Sequence, residues 1–256
     1  MQNSSLKKFF KLYGKEMREL RPEIIVVLVA TIVIDAFFYF KAQQIPGVVI
    51  GPSMMILGLA ALLPFISSFK LLGREWNSNT IYLLLSLPVK GGSILGSKLL
   101  ALLSQYIIGT VVVSAGGFIL AILLFPQLIA DIVSQAQMAG IDTEILSWAG
   151  AGLLFYLMSI VGMAYVICIS FFSQLVGKLG RRFSGAITAI VFIATFWLMG
   201  KIMMPIGQFL GSQLFMHNFS IAALNQLLSI NTLILLAGTV IIFLAAMLVY
   251  NHKIEL

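Results

Sequence analysis

Six long apolar runs divide the chain, and the segments between them hold the charged, polar and helix-breaking residues. A membrane-spanning helix needs about 20 mostly apolar residues to cross roughly 30 Å of hydrocarbon, whereas a barrel strand alternates over about 9–11 residues. The pattern therefore predicts six spanning helices. Their approximate bounds are Ile24–Phe40, Pro52–Leu72, Leu99–Phe125, Ser147–Phe172, Ser184–Met204 and Ile230–Tyr250.

Residues 1–22 show a different pattern, with apolar side chains on one helical face and lysines on the other. The apolar arc holds Leu6, Phe9, Phe10, Tyr13, Met17 and Leu20, and only Leu12 falls on the lysine-rich side. This pattern is typical of a helix that lies in the membrane interface. A helix packed on a partner protein and charge that only sets topology are the alternatives. Pro22 is expected to break the helix before the first span.

Composition narrows the class of protein. Apolar residues make up 60% of the chain and charged residues 10%, and the mean hydropathy is +1.05. Soluble domains have roughly 45–50% apolar and about 25% charged residues. A cytosolic enzyme, a disordered regulator and a disulfide-stapled secreted domain are therefore excluded. Cys168 is the single cysteine and has no partner within the chain.

The basic residues predict the orientation. Fourteen of the 16 Lys and Arg residues fall in segments that six spans would place on one face, and only Lys41 and Lys201 fall opposite. By the positive-inside rule, that face is cytoplasmic. The sequence thus predicts a multi-pass protein of the cell membrane with both termini inside, a six-span domain at 23–250 and a short tail at 251–256. The net charge of +7 is assigned to topology and not to nucleic acid.

The segment 71–98, between the second and third spans, is the most informative loop. Its run Ile81–Leu87 is too short to cross a bilayer and too apolar for a free loop. Such a run is expected to be buried against lipid or against another protein. Pro88 follows as a stop, and Gly91, Gly92 and Gly96 are expected to form a flexible linker.

In this loop the sequence resembles the permease subunits of ABC-2-type exporters. The matching residues are Arg74-Glu75, Thr80, Leu83 to Leu85, Ser86-Leu87-Pro88 and Gly96-Ser97-Lys98. Asn79 stands where that family usually has glycine, a change that a turn tolerates. The order of elements is also similar. The resemblance implies an all-α integral membrane protein of the type V (ABC-2) exporter kind, with an in-plane N-terminal helix and six spans.

The resemblance also implies a coupling helix that docks on a separate ATPase subunit. The candidate contact residues are Arg74, Glu75, Trp76, Thr80, Tyr82, Leu83, Leu84 and Leu85. ATP and Mg would be bound by that subunit, and no cofactor is expected in this chain. A second permease copy, in a homodimer or a heterodimer, and membrane lipids are the other expected partners. The alternative is an amphipathic loop that lies on lipid. Residues 177–182 are either a second ATPase contact or topogenic charge.

Catalytic chemistry is scarce in the sequence. The segment 91–98 reads G-x-x-x-x-G-S-K, but a P-loop requires Gly-Lys-Ser/Thr in that order after a strand. His217 and His252 are far apart, so no metal site is expected. No catalytic residue is assigned, and the chain is not expected to be an enzyme.

Two further features inside the apolar region are open to two interpretations. Asp35 is either an intramembrane polar site or a carboxylate satisfied by Lys41 or Gln43 near the interface. Segment 201–229 contains short apolar runs with proline and glycine, and it is expected to form re-entrant or interfacial helices on the outer face. These helices are either an exit gate or a lid that only packs the bundle.

The sequence therefore predicts a permease subunit that exports an amphiphilic substrate, an amphipathic or antimicrobial peptide or a hydrophobic drug. An exporter of lipids or polysaccharide precursors is the main alternative. A stand-alone secondary transporter would need more ionisable residues in its spans. A scaffold or sensor would need a soluble domain.

Overall fold

The structure is a computed structural model that describes residues 2–42, 50–77, 91–127, 130–131, 134, 142–180, 183–215 and 221–253. Within these residues the chain is helical and has no strand. The helices are α1 (Gln2–Ala42), α2 (Ile50–Asn77), α3 (Gly91–Leu124), α4 (Asp142–Leu179), α5 (Ser184–Phe215) and α6 (Ile221–Lys253).

Each of these helices contains a stretch that is long and apolar enough to cross a membrane. The shortest such stretch, Leu57–Trp76, has 20 residues, which is about 30 Å at a rise of 1.5 Å per residue. The prediction of six helices that are long and apolar enough to span a membrane is therefore confirmed. All six helices are longer than the apolar runs suggested, although α3 ends at Leu124, one residue short of the predicted end, and α5 begins at Ser184 as predicted.

Helix α1 includes both the N-terminal amphipathic segment and the first span. The predicted break at Pro22 is therefore wrong. A proline inside a helix removes one backbone hydrogen bond and costs roughly 3 kcal/mol. Tertiary contacts on both sides of Pro22 oppose that cost, because Leu20 is 2% exposed in the core and the Glu23 carboxylate accepts hydrogen bonds from α2 and α3.

A single buried stripe runs along α1 at spacings of three or four residues. Its members include Phe9, Leu12, Tyr13, Glu16, Leu20, Val27 and Thr31. The stripe packs mainly on α3, and the two helices run parallel from the contact of Phe9 with Gly96 to that of Thr31 with Gly116. Leu12, the exception in the amphipathic pattern, is thus explained, because it packs against the core.

The start of α3 is helical where the sequence suggested a flexible glycine linker. Gly91 and Gly92 are the first residues of this helix, and Gly96 lies within it. A Cβ at Gly91 would overlap the ring of Tyr250, and one at Gly92 would lie 2.6 Å from the Met247 sulfur. These two glycines therefore allow α3 to approach α6 closely, and the linker prediction is wrong.

Segment 201–229 does not form separate short helices in its described part. Residues 201–215 continue α5 through Pro205, and 221–229 form the first turns of α6. The helix that contains Pro205 also contains a long apolar stretch before it, and the proline does not end the helix. The expectation of re-entrant or interfacial elements is replaced by two extended helices.

The bundle is centred on α3 and α4. Helix α1 packs against α3 on one side, α5 packs against α4 on the other, and α6 lies along α4. The main apolar core lies where α2, α3 and α4 meet, and its most buried members include Leu72, Leu95, Leu102 and Phe171. This core positions the charged side chains described next.

Candidate functional site

One end of the bundle brings together the N-terminal half of α1, the last turns of α2, α4 and α6, and the first turns of α3 and α5. We refer to it as the basic end. Lys178 near the end of α4 lies 5.7 Å from the ring of Trp76 on α2. Gly91 at the start of α3 abuts Tyr250 near the end of α6. The charge pattern predicts that this end faces the cytoplasm.

Lys98 on α3 is buried at the basic end, with 1% of its surface exposed. Its Nζ donates hydrogen bonds to Glu16 Oε1 on α1, at 2.9 Å, and to Glu75 Oε1 on α2, at 2.6 Å. Both glutamates are themselves buried. Lys98, Glu16 and Glu75, which we name the Lys98 cluster, therefore join three helices.

The helical pattern places these charges inside. Leu95 and Leu102, three and four positions from Lys98, have no exposed surface, and residues at these spacings share a helix face. Glu16 lies one turn before the buried Leu20 on the core face of α1. Because these leucines are buried, the charged side chains on the same helix faces are buried with them. In the protein interior the opposite charges attract each other strongly, but each charge loses its hydration.

Lys15 adds a second cation at the rim of the Lys98 cluster. Its side chain is 45% exposed, and its Nζ lies 3.5 Å from Glu75 Oε1, 3.8 Å from Glu16 Oε1 and 3.7 Å from Glu19 Oε1. The other oxygen of Glu16, Oε2, is buried without a hydrogen-bond partner in the described part of the chain. The cluster is therefore not fully satisfied.

A second polar group lies further along α1, around Glu23. Its carboxylate accepts hydrogen bonds from Ser67 and from Lys70 on α2, the latter at 2.8 Å, and from Gln105 on α3 at 3.1 Å. Unlike Lys98, Lys70 is 61% exposed. The same three helices are thus joined at two successive levels.

The predicted coupling residues are only partly described. Arg74 is exposed, Glu75 belongs to the Lys98 cluster, and Trp76 is half-buried beside Lys178, with no hydrogen-bond partner for its buried Nε1 among the described residues. The others, Thr80, Tyr82, Leu83, Leu84 and Leu85, lie outside the described residues. The prediction of an ATPase contact is therefore not tested, but Glu75 faces the interior of this chain.

The four residues predicted to contact the membrane interface divide between two environments. Tyr13 shares a hydrogen bond of 2.9 Å with Ser104 on α3, and Met17 packs against the core. Phe9 is half-buried beside α3, whereas Phe10 is 64% exposed. Much of the aromatic face therefore contacts protein, and a position in the membrane interface stays a prediction.

Asp35 is half-buried against Gly116 of α3, in the half of α1 that lies away from the basic end. A Cβ at Gly116 would overlap its carboxylate, so the missing side chain of that glycine makes room for it. Among the described residues no hydrogen bond or ion pair reaches Asp35. Lys41 is exposed, and Gln43 lies outside the described residues. Gly116 is thus a packing contact, and the function of Asp35 stays open.

A groove of about 590 Å³ follows one face of α5. It is lined by Phe192, Ile193, Phe196, Trp197, Gly200, Lys201, Met204, Pro205 and Gln208. Lys201 Nζ lies 5.5 Å from the Trp197 ring, close enough for a cation–π interaction. Helix α5 is the least buried of the spanning stretches, so this groove lies on the outside of the bundle.

The geometry of the Lys98 cluster suits a mechanical role better than a chemical one. All three side chains are buried and Lys98 pairs with both glutamates, so the cluster links α1, α2 and α3. In the described part of the chain, no group of three or more His, Cys, Asp or Glu side chains is arranged to hold a metal ion.

Sequence reasoning missed the Lys98 cluster. In the sequence, Lys98 belongs only to a Gly-Ser-Lys match and to the topogenic charge, and Glu16 belongs to no motif. One signal was available, because both residues lie at three- or four-residue spacings from apolar positions that form a core face. The partners themselves are 82 residues apart, so no local pattern could pair them.

Comparisons of the chain with models of known protein families, with curated proteins and with solved structures found no match.

Proposed function

We propose that the chain is the membrane-spanning permease subunit of an ABC-2-type exporter that works with a separate ATPase subunit. The loop motif resembles that family, and six spanning helices with few charges in their apolar stretches suit a pathway driven from elsewhere. The substrate is an amphiphile, an amphipathic or antimicrobial peptide or a hydrophobic drug. A second permease copy completes the pathway.

The ion pair between the two helices that flank segment 78–90 is the observation that carries this proposal. Glu75 lies just before the loop and Lys98 shortly after it, and their ion pair of 2.6 Å ties its two stems together. Glu16 ties both stems to α1. A loop that receives force from a partner needs such a rigid base, whereas a loop that rests on lipid does not.

The groove on α5 supports an amphiphilic substrate. Its walls are mainly aromatic and aliphatic, and Lys201 supplies a positive charge. A surface of this kind favours a molecule with a long apolar part and an anionic or polar group. A sugar or a small ion would find few hydrogen-bonding partners there.

Lipid export is the second candidate, and one observation favours it. The side chains that line the groove are mostly exposed on the outside of the bundle, so a bilayer lipid could enter sideways. An amphipathic peptide reaches the same groove from an aqueous side. Stimulation by free peptide would therefore favour the first candidate.

Co-purification tests the proposal. The chain is expressed with the ATPase encoded nearest to it in its genome, purified, and placed in liposomes of neutral lipid. We expect a stable complex whose ATPase activity rises when amphipathic peptides are added. Leu84→Arg places a charge in the apolar loop and should abolish the complex.

Leu6→Arg is the matched control, since Leu6 is a leucine of the basic end that is 57% exposed and lies outside the loop. It should leave the complex intact. If Leu84→Arg retains the ATPase as well as Leu6→Arg does, the loop is not the contact. If no ATPase binds the unmodified chain, the exporter proposal fails.

A further inference from the structure

A second cleft, of about 580 Å³, opens at the basic end between α2, α4 and α5. Its walls include Phe69 of α2, Lys178 of α4, and Ser184, Phe192 and Ile193 on one face of α5. We refer to it as the Lys178 cleft. The proposed function does not use it.

The Lys178 cleft is polar at one end and apolar at the other. Lys178 lies near the end of α4 and Ser184 is the first residue of α5, so both polar groups lie at the basic end. Phe192 lies eight residues after Ser184 on the same helix face, which is about 12 Å along the helix. There the Phe192 ring meets the Phe69 ring at a centroid distance of 5.6 Å. An amphiphile with its head group at Lys178 fits this division.

The charge of Lys178 is positioned but not balanced. Its Nζ lies 5.7 Å from the centre of the Trp76 ring, within reach of a cation–π interaction. Among the described residues no carboxylate forms an ion pair with Lys178, and no acidic side chain lines the cleft. A positive charge beside an apolar wall therefore favours an anionic ligand.

The apolar end of the Lys178 cleft joins the groove on α5. The two share Phe192 and Ile193 as walls. Ile193 is 66% exposed and the spanning stretch of α5 is the least buried, so the cleft and the groove both open on the outside of the bundle. An acyl chain that leaves the cleft past Phe192 therefore continues over the aromatic wall of the groove, at Phe196 and Trp197.

The polar end of the cleft lies where a bilayer places its head groups. The apolar stretch of α4 ends at Leu179, one residue after Lys178, and that of α5 begins at Ser184. The charge pattern predicts that this end faces the cytoplasm, and basic pockets between spanning helices on that side bind anionic lipid head groups. A peptide fits less well, because its backbone would need hydrogen-bond partners that an apolar wall does not offer.

We propose that the Lys178 cleft binds an anionic phospholipid of the leaflet at the basic end: the Lys178 ammonium and the Ser184 hydroxyl bind the phosphate, and an acyl chain follows α5 past Phe192. The inference goes beyond the proposed function, because this lipid would occupy the cleft whether or not the chain exports a substrate. Lys178 is then a lipid-binding residue as well as part of the topogenic charge.

Two variants and two matched controls test this site. Lys178→Gln removes the cation. Gly185→Leu fills the cleft, because Gly185 lines it and a Cβ there meets nothing within 4 Å, so the new side chain takes ligand space without disturbing helix packing. Lys7→Gln removes an exposed lysine of the basic end outside the cleft. Gly117→Leu makes the same glycine change on α3, where a Cβ also meets nothing within 4 Å.

The measurement is native mass spectrometry of the delipidated chain in detergent, titrated with phosphatidylglycerol or with phosphatidylcholine of the same acyl chains. We expect phosphatidylglycerol to bind more tightly than phosphatidylcholine, and Lys178→Gln to weaken its binding about tenfold, the scale of one charge-assisted hydrogen bond. Gly185→Leu should lose binding of both lipids. The two controls should bind lipid as the unmodified chain does.

Equal affinity for the two lipids, or equal losses for Lys178→Gln and Lys7→Gln, would overturn the inference. So would a Gly185→Leu variant that binds lipid as well as Gly117→Leu does, and this glycine pair decides the question alone if Lys178→Gln fails to fold. Glycerol 3-phosphate and an anionic amphipathic peptide are then added as competitors. Displacement of the lipid by either one at equal concentration would assign the cleft to a soluble anion or to a peptide, and would also overturn the inference.

Discussion

Lys98 allows a stability prediction with a built-in comparison. Lys98→Met removes the cation between Glu16 and Glu75, whose exposed fractions are 2% and 7%. Breaking a buried ion pair by removing one partner costs about 3–5 kcal/mol, because the remaining charge is buried without compensation. Lys15 stays 3.8 Å from the Glu16 carboxylate and 3.5 Å from that of Glu75 and compensates part of the lost charge, so we expect the lower part of that range.

Lys70→Met is the matched control. Lys70 also pairs with a glutamate of α1, at 2.8 Å, but its side chain is 61% exposed. An exposed pair contributes about 0.2–1 kcal/mol. Glu23 also keeps its hydrogen bonds from Ser67 and Gln105 in this variant. The two lysine variants should therefore differ several-fold in their effect on stability.

The assay is reversible unfolding in mixed micelles with increasing denaturing detergent, followed by tryptophan fluorescence. The free energy of unfolding should fall far more for Lys98→Met than for Lys70→Met. Equal losses for the two variants, or a loss below about 1 kcal/mol for Lys98→Met, would refute the claim that Lys98 forms buried ion pairs with Glu16 and Glu75.

Two further predictions concern helix packing. Gly91→Leu should destabilise the bundle strongly, because any side chain there overlaps Tyr250, whereas Gly117→Leu should be tolerated because a Cβ there meets nothing within 4 Å. Thermal unfolding of the two variants in detergent checks this, and equal melting temperatures would contradict it. Tyr13→Phe removes a hydrogen bond to Ser104 and should cost about 1 kcal/mol in the same unfolding assay. No loss at all would contradict a stabilising hydrogen bond between Tyr13 and Ser104.

The apolar runs predicted the six spanning helices but not their ends. A window of apolar residues reports the length of hydrocarbon that a helix crosses, and the helices continue into the polar segments on either side. At Pro22 and Pro205 the local rule predicted a break, but tertiary contacts and flanking apolar stretches carry the helix through. Glycine residues are ambiguous in the same way, because a glycine can mark either a flexible segment or a close helix contact. Gly91 allows close packing against Tyr250.

The candidate site was predictable only in part. Glu75 was singled out from the loop motif, but its partner Lys98 lies 23 residues away on another helix. A charge that follows the spacing of core residues is the local sign of a buried pair, as for Glu16 beside Leu20. Which opposite charge it meets depends on how the helices pack, and a single sequence does not encode that in any local pattern.

The proposed function requires that segment 78–90 contacts an ATPase subunit. A photo-crosslinking amino acid at position 84, introduced in living cells, tests this contact most directly, with the same substitution at Leu6 as the control. We predict that light captures one protein at position 84, and that mass spectrometry identifies it as an ATPase with a Walker A motif. Capture of lipid alone, or the same products from positions 84 and 6, would contradict the claim.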